Sequence, residues 1–244
     1  VSAADSLRGA VILILSVPVF HESRHLQLRR TVPNDAEILY ERGFSQREFM
    51  RLFRLNDMPA IAATVHIQFV QRQQIPPQQE TYLELMFVHR RHGPIGLCAL
   101  ADHSSLHRRA EYLVGLFETS RRQLSYGVEA GLMLGDLAFN GYNLNKLYAS
   151  TYAYNRPAQK VLESGGFQLE GCCREHIFDR VTQQFVDLHN YGLTVSHFRQ
   201  YQRLAPLSLR LLGRDITMPS TPPSFQARDK NAPVKSGTRI LRSV

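Results

Sequence analysis

The chain alternates between segments with a two-residue hydrophobic period and segments with a helical period. Runs rich in leucine, β-branched and aromatic residues predict strands. These strands are residues 26–30, 82–89, 95–101, 110–118, 147–152, 167–179 and 184–194. Between them, Leu124, Val128, Leu132 and Leu137 recur near helical spacing and predict a long helix over 124–140 with one buried face.

Shorter helices are predicted before and after this region. Pro33 and the polar pair after it open a helix that ends near residue 40, because Asn and Asp side chains cap helix starts. Residues 45–55 and 58–73 also have helical periodicity. A short helix over 156–164 follows Asn155. The chain therefore reads as strands, a long helix, a strand, a short helix and a final strand pair.

Composition fits one domain with a tail. The 244 residues include 43% hydrophobic residues, enough for a sizeable core. Of the net charge of +8, the seven basic and two acidic residues from position 204 onward carry +5. We expect an N-terminal extension over 1–25, a folded domain over 26–203 and a mostly disordered basic tail over 204–244. A nucleic-acid-binding function would rest on that tail alone.

Cysteine usage and hydropathy indicate where in the cell we expect the protein. The three cysteines are Cys98, Cys172 and Cys173, and their spacing does not resemble a metal-binding knuckle. We therefore expect a reduced, cytoplasmic protein without a metal site. The apolar run over 10–20 is too short to span a bilayer, which needs about 20 residues, so we expect no membrane span.

A basic turn stands between the third long strand and the long helix. Residues 120–130 read SRRQLSYGVEA, with Arg121 and Arg122 just before the helix start. Unpaired N–H groups and the helix dipole make such a turn a good anion site, to which arginines add donors. The alternative is an ordinary solvated helix end.

Three segments in this order resemble the GNAT superfamily of acyl-CoA-dependent N-acyltransferases, and especially its RimJ/RimL-like branch. Residues 122–127 (RQLSYG) are similar to the family's pyrophosphate loop, Gln/Arg-x-x-Gly-x-Gly/Ala, with Ser125 in place of the central glycine. After the loop, residues 155–158 (NRPA) with 166–167 (GF) are similar to the family's Asn-x-x-Ser…Gly-Phe segment. Before it, residues 94–97 (PIGL) and 109–111 (RAE) resemble the strand pair that precedes the loop. The resemblance covers roughly residues 26–198.

The resemblance implies the α/β (α+β) GNAT fold. This fold is a central mixed, mostly antiparallel sheet of six to seven strands, flanked by helices and splayed at the cofactor site. It also implies acetyl-CoA or another acyl-CoA as co-substrate and no metal. The implied cofactor-binding residues are Leu116, Phe117, Arg121, Arg122, Gln123, Leu124, Ser125, Tyr126, Gly127 and Asn155. Backbone N–H groups around 116–118 would face the thioester oxygen, and Asn155 would bind the pantetheine arm or cap a helix.

Acyl transfer to an amine requires a general base. Glu111 stands eleven residues before Arg122, where related enzymes can carry a catalytic carboxylate. It is the preferred base, and the alternative is a strand carboxylate paired with Arg108 or Arg109. Glu118 is the second candidate, or else a charge at a strand end.

The family's usual donors to the departing thiolate are absent. Ala158 and Leu162 stand where related proteins carry serine and tyrosine. Tyr152 and Tyr154 are near in sequence, and water could also protonate the sulfur.

Two functions remain open at this point. One is an N-acetyltransferase, a monomer or homodimer, that acts on a small-molecule amine, an amino sugar or a protein N-terminus. The other is a degenerate domain that binds CoA or a protein partner without catalysis. The altered residues Ser125, Ala158 and Leu162 favour the second function. The residues that favour the first are Arg122, Gly127, Glu111 and Asn155.

Overall fold

The structure is a computed structural model that describes residues 17–53, 61–118 and 126–219. Within these ranges, eight strands form one sheet in the order β1-β2-β3-β4-β5-β6-β8-β7. They are β1 (Val19–Glu22), β2 (Leu26–Arg30), β3 (Leu83–His89), β4 (Gly93–Ser104), β5 (Arg109–Leu116), β6 (Lys146–Tyr152), β7 (Gln168–Asp179) and β8 (Gln184–Thr194). Every neighbouring pair is antiparallel except β5 and β6. The predicted mixed, mostly antiparallel sheet is confirmed.

The described sheet has one strand more than the six to seven that we expected. Strand β1 lies in the segment predicted as an extension, and it pairs with β2 from Val19↔Arg29 to Glu22↔Gln27. It is a four-residue edge strand whose residues are only partly buried or exposed. Because such a strand needs no continuous hydrophobic pattern, periodicity does not reveal it.

Seven helices flank the sheet in the described part of the chain. They are α1 (Ala36–Leu39), α2 (Arg47–Phe53), α3 (Ala62–Gln73), α4 (Tyr126–Asp136), α5 (Arg156–Ser164), α6 (Val195–Gln200) and α7 (Leu204–Leu212). Helix α5 has the bounds predicted from the sequence. Helix α4 begins at the first described residue after the basic turn and passes into a single π-helical turn, Leu137–Gly141.

The helices form a layer on each face of the sheet. On one face, α4 packs on alternate residues of β5 and β6, including Leu116, Leu147 and Ala149. On the other face, α1, α2 and α3 pack on residues such as Met86 and Leu97. This alternation of side chains decides which residues of β5 and β6 can face each layer.

The beginning of the predicted disordered tail is ordered instead. Residues 204–212 form α7, whose Leu204 is buried against the core. After it, Ile216 is fully buried, and Arg199 donates to the carbonyl oxygens of Ile216 and Thr217 at 3.0 Å each. The leucines of this segment find an apolar partner in α4, which composition alone could not show. Residues 220–244 lie outside the described residues.

Candidate functional site

Strands β5 and β6 separate shortly after they begin. They pair only from Arg109↔Lys146 to Glu111↔Tyr148. Beyond this point, β5 continues to pair with β4 as far as Leu116, and β6 continues with β8 as far as Tyr152. The two strands therefore diverge and open a gap in the middle of the sheet, here called the splay cleft. This is the splay that the fold prediction contained.

The splay cleft has a volume of about 370 Å³. Its walls come from β5, β6, α2 and the starts of α4 and α5. Residues that contribute are Phe49, Leu52, Phe53, Tyr112, Val114, Leu116, Gly127, Ser150, Thr151, Asn155, Ala158 and Leu162. The cleft is largely apolar, with a few hydroxyl, amide and backbone groups, as in small-molecule sites generally.

Backbone N–H groups of β5 face the splay cleft at alternate positions. The N–H of Phe117 donates to the carbonyl oxygen of Ile95 on β4, at 3.1 Å. Because successive N–H groups of a strand point to opposite sides, those of Val114 and Leu116 point toward β6 and the cleft. The expectation for Leu116 therefore fits the geometry, whereas the Phe117 N–H is already used within the sheet.

Helix α2 supplies an aromatic wall that the sequence analysis did not identify. The rings of Phe49 and Phe53 stack with centroids 5.1 Å apart and lie directly on β5 at Gly115. A Cβ at Gly115 would lie 2.7 Å from Phe53, so only glycine allows this approach. The helix itself was predicted, but its contact with β5 depends on the fold.

The start of α4 borders the splay cleft, as a phosphate-binding loop would require. Gly127 lines the cleft, and the Tyr126 ring packs against His89 with centroids 4.9 Å apart. The predicted phosphate ligands Arg121, Arg122, Gln123, Leu124 and Ser125 lie outside the described residues. Their role remains a prediction.

Glu111 occupies the last paired position before the strands part. It lies next to Tyr112, which lines the splay cleft, but Glu111 itself is not part of the cleft wall. The guanidinium of Arg109 pairs with Asp102 at 2.7 Å. That of Arg108 donates to the backbone carbonyl and side-chain oxygens of Asn143, at 2.7 and 2.8 Å. These contacts show that both arginines named as possible partners of Glu111 bind other groups.

A polar network lies beside Glu111. Tyr148, its partner on β6, donates its hydroxyl to Asp102 at 2.6 Å. This hydrogen bond, with one from Arg109, holds the pKa of Asp102 below its usual value. Burial and the same contact raise the pKa of Tyr148 to about 12. At physiological pH Asp102 is therefore a carboxylate paired with Arg109, and Tyr148 is neutral, although neither residue lines the splay cleft.

Glu118, the second candidate base, is held by an arginine. Its Oε1 lies 2.5 Å from Nη2 of Arg42, whose Nη1 donates to the carbonyl of Pro94 at 2.8 Å. The same guanidinium lies 5.6 Å from the centre of the Phe117 ring. This pair engages the Glu118 carboxylate within the fold.

Asn155 caps a helix and also lies in the wall of the splay cleft. Its Oδ1 accepts the N–H of Ala158 at 3.4 Å and caps α5, and its Nδ2 donates to the carbonyl of Leu52 at 3.3 Å. The residue also lines the splay cleft. It therefore ties β6, α5 and α2 together at one wall.

The hydroxyl groups in and near the cleft differ in their partners. Tyr154 donates to the carbonyl of Arg51 at 2.9 Å, and burial raises the pKa of Tyr154 to about 12. In contrast, the Thr151 hydroxyl oxygen is buried without a hydrogen-bond partner. Tyr112 is partly buried, and burial of its hydroxyl group raises its pKa. Tyr154, a candidate from the sequence, is thus already engaged, whereas Thr151 was not identified there.

A second, apolar chamber adjoins the splay cleft on the α4 side. It has a volume of about 240 Å³ and shares Tyr112, Gly127 and Leu162 with the cleft. In the described ranges, no group of three or more His, Cys, Asp or Glu residues is arranged to hold a metal ion. No helix there is long and apolar enough to cross a membrane.

Comparisons with known proteins agree with this geometry. The domain model described as acetyltransferase (GNAT) domain matches residues 25–168, more than half of the chain. No curated protein matches. Among solved structures, a point mutant of spermidine N-acetyltransferase SpeG from Vibrio cholerae is 16% identical, with a TM-score of 0.61 over 71% of this chain and 95% of that one.

Two further solved structures are similar. Spermidine N-acetyltransferase from Vibrio cholerae in complex with CoA and spermine is 19% identical, with a TM-score of 0.59 over 71% of this chain and 97% of that one. A probable acetyltransferase is 20% identical, with a TM-score of 0.60 over 70% and 93% of the two chains. At these identities the likeness establishes the fold. The RimJ/RimL-like branch remains a prediction.

Proposed function

We propose, from the premise that this chain belongs to the GNAT acetyltransferase family, that it transfers an acetyl group from acetyl-CoA to a primary amine by direct attack in a ternary complex. The observation that carries the proposal is the splay cleft. There, two strands part immediately after Glu111, which leaves backbone donors of one strand open to a ligand.

The cleft has the features that a thioester donor needs. The N–H groups of Val114 and Leu116 can donate hydrogen bonds to the thioester carbonyl oxygen and to the amide carbonyl oxygens of a pantetheine arm. Asn155 and Gly127 flank that path, and the basic turn at Arg121 and Arg122 would receive the phosphates. The apolar walls exclude water, which strengthens these polar contacts.

In this proposal Glu111 is the general base, and it acts through a water because it lies beside the cleft wall. The neutral amine attacks the carbonyl carbon while its proton passes to the water and on to Glu111. The developing oxyanion is stabilised by N–H groups of β5. The carbon–sulfur bond then breaks, and the thiolate departs toward the α5 side of the cleft.

The acceptor that we propose is a small-molecule primary amine. The carboxylate of Glu111, at the last paired position before the cleft, would attract an ammonium group before it loses its proton. A similar structure is a complex with spermine, which is consistent with a small amine. An amino sugar or a protein N-terminus remains an alternative acceptor, and the cytoplasm the proposed location.

The alternative function is a domain that binds CoA without catalysis. Ala158 and Leu162 in the cleft wall favour it, since neither can donate a proton to a thiolate. Both functions require binding of acetyl-CoA, so only a measurement of turnover distinguishes them.

The test begins with calorimetric titration of acetyl-CoA into the wild-type protein, Arg122→Glu and Arg203→Glu. The last is a matched charge reversal at an exposed position just before α7. We expect micromolar binding that Arg122→Glu abolishes and Arg203→Glu preserves. Absence of binding to wild-type protein would refute the proposal.

A panel of amines, including polyamines, then tests turnover by release of free thiol. We expect Glu111→Gln to lower kcat by about 10²–10⁴-fold, the usual contribution of a general base. Glu118→Gln should change kcat little. Binding without turnover of any amine would favour the alternative function.

A further inference from the structure

The hydroxyl of Thr151 is the unusual polar group of the splay cleft. Thr151 is 4% exposed, and its Oγ1 has no hydrogen-bond partner. It lies on β6 after the strands have parted, and its parity with Leu147 and Ala149 places it on the α4–α5 face. Buried hydroxyl groups almost always have a hydrogen-bond partner, which makes Thr151 a candidate contact for a ligand in the cleft.

The other side-chain polar groups of β6 and α5 in this wall already have partners. Ser150 donates to Oδ1 of Asn190 at 3.0 Å on the opposite face of the sheet. Asn155 uses its amide on Ala158 and Leu52. In this wall, as far as the structure describes it, Thr151 offers a hydroxyl donor that no contact of the fold uses, and the second N–H of the Asn155 amide is the other side-chain donor.

We propose that the Thr151 hydroxyl donates a hydrogen bond to the departing sulfur of the acyl thioester. The inference rests on the proposed function. Val114 on β5 and Thr151 on β6 both line the cleft, and each lies three residues beyond the last paired position, Glu111↔Tyr148. The reacting carbon must lie within reach of both Glu111 and a β5 N–H group, which places the adjoining sulfur along this stretch. Ala158 and Leu162 share the wall but bring no hydroxyl there.

The step balances without proton loss from threonine. The amine nitrogen forms the new bond to the carbonyl carbon and gives its proton to Glu111 through water. The carbon–sulfur bond breaks, and its electron pair leaves on sulfur. Thr151 stabilises this thiolate by a hydrogen bond to the charged atom, and solvent water then protonates it.

Tyr112 is the competing donor, since it lines the same cleft and its hydroxyl group is buried. Its hydroxyl, however, lies against the backbone of α4, where a Cβ on Gly131 would be 2.3 Å away. The hydroxyl is therefore confined beneath the helix, whereas Thr151 stands on the strand that forms the wall. This contrast is why Thr151 is the assignment.

Four variants test the inference: Thr151→Val, Thr151→Ser, Tyr112→Phe and the matched control Thr64→Val on the exposed surface of α3. For each we would measure kcat and KM with acetyl-CoA, the calorimetric Kd of acetyl-CoA, and the thermal unfolding midpoint. Valine has the shape of threonine, so the fold should tolerate it.

We expect Thr151→Val to lower kcat about 10- to 100-fold, the usual effect of a hydrogen bond to a charged group. Its Kd for acetyl-CoA should stay near the wild-type value, and its unfolding midpoint should not fall. Thr151→Ser should restore most of kcat, Thr64→Val should retain it, and Tyr112→Phe should lower kcat less than Thr151→Val does. A stability role alone would not produce this pattern.

Three results would overturn the inference. They are an unchanged kcat in Thr151→Val, a weaker Kd with kcat preserved, and a kcat loss in Tyr112→Phe instead. In each case a wild-type protein that acetylates amines leaves the proposed function intact. A wild-type protein without any transfer overturns the proposed function, and this inference with it.

Discussion

Whether Gly131→Ala stabilises or destabilises the protein should depend on the hydroxyl group of Tyr112. A Cβ on Gly131 would lie 2.3 Å from the Tyr112 hydroxyl oxygen but 3.6 Å from the ring carbon Cζ. The first distance is a severe clash, whereas the second is ordinary van der Waals contact. The ring cannot move freely, because it is partly buried against the core and packs on Phe167 with centroids 5.2 Å apart. The conflict therefore comes from one oxygen atom.

Two opposing effects set the magnitude. Replacing glycine by alanine inside a helix stabilises it by about 0.5–1 kcal/mol. Overpacking a buried site costs about 1–3 kcal/mol. We expect Gly131→Ala to lower the free energy of unfolding by about 1–2 kcal/mol in the wild-type protein. In a Tyr112→Phe background the clash is absent, and the same change should raise it by about 0.5–1 kcal/mol.

Urea unfolding followed by circular dichroism on the wild type, both single variants and the double variant measures this coupling. Gly135→Ala, one turn further along α4, is the matched control. Its Cβ would lie 3.8 Å from Phe198, an ordinary contact, so it should stabilise in both backgrounds. Destabilisation by Gly131→Ala of equal size with and without the Tyr112 hydroxyl would refute the reasoning.

Three further predictions concern side chains that connect elements. The Asp179 side chain is fully buried, which alone would raise its pKa, but the N–H of Val181 and the Arg51 guanidinium hold that pKa below its usual value. Its stabilisation is therefore present above the unfolded pKa of about 4 and lost as pH falls through the lower folded value. Asp179→Asn should cost about 1–3 kcal/mol at pH 7 and remove this acid dependence, as urea unfolding between about pH 2 and pH 7 would show. Asn155→Ala should lose about 1 kcal/mol with the cap of α5 and weaken acetyl-CoA binding, whereas Asn155→Asp should keep the cap; equal stability of all three proteins by thermal unfolding would contradict this. Glu118→Gln should lower the free energy of unfolding, measured by thermal unfolding, by less than about 1 kcal/mol because the Glu118 side chain is 42% exposed. A larger loss would show that the ion pair of Glu118 with Arg42 stabilises the fold.

Local periodicity determined most of the elements of this protein, apart from β1 and α7. The bounds of α5 and β8 and the capping role of Asn155 follow from a few neighbouring residues, so the sequence predicted them directly. The order of basic turn, helix, strand and short helix likewise indicated the family, which the domain match confirms. Each of these features depends on interactions within one segment or on the order of segments along the chain.

Tertiary structure alone decided the site. The splay exists because β5 keeps its bonds to β4 while β6 keeps its bonds to β8, and no hydrophobic pattern records where two strands separate. The same holds for the aromatic wall on Gly115 and for the unpaired hydroxyl of Thr151. The spacing of hydrophobic residues predicts which face of a strand or helix a side chain occupies. The groups that it contacts belong to residues distant in sequence, which the spacing does not reveal.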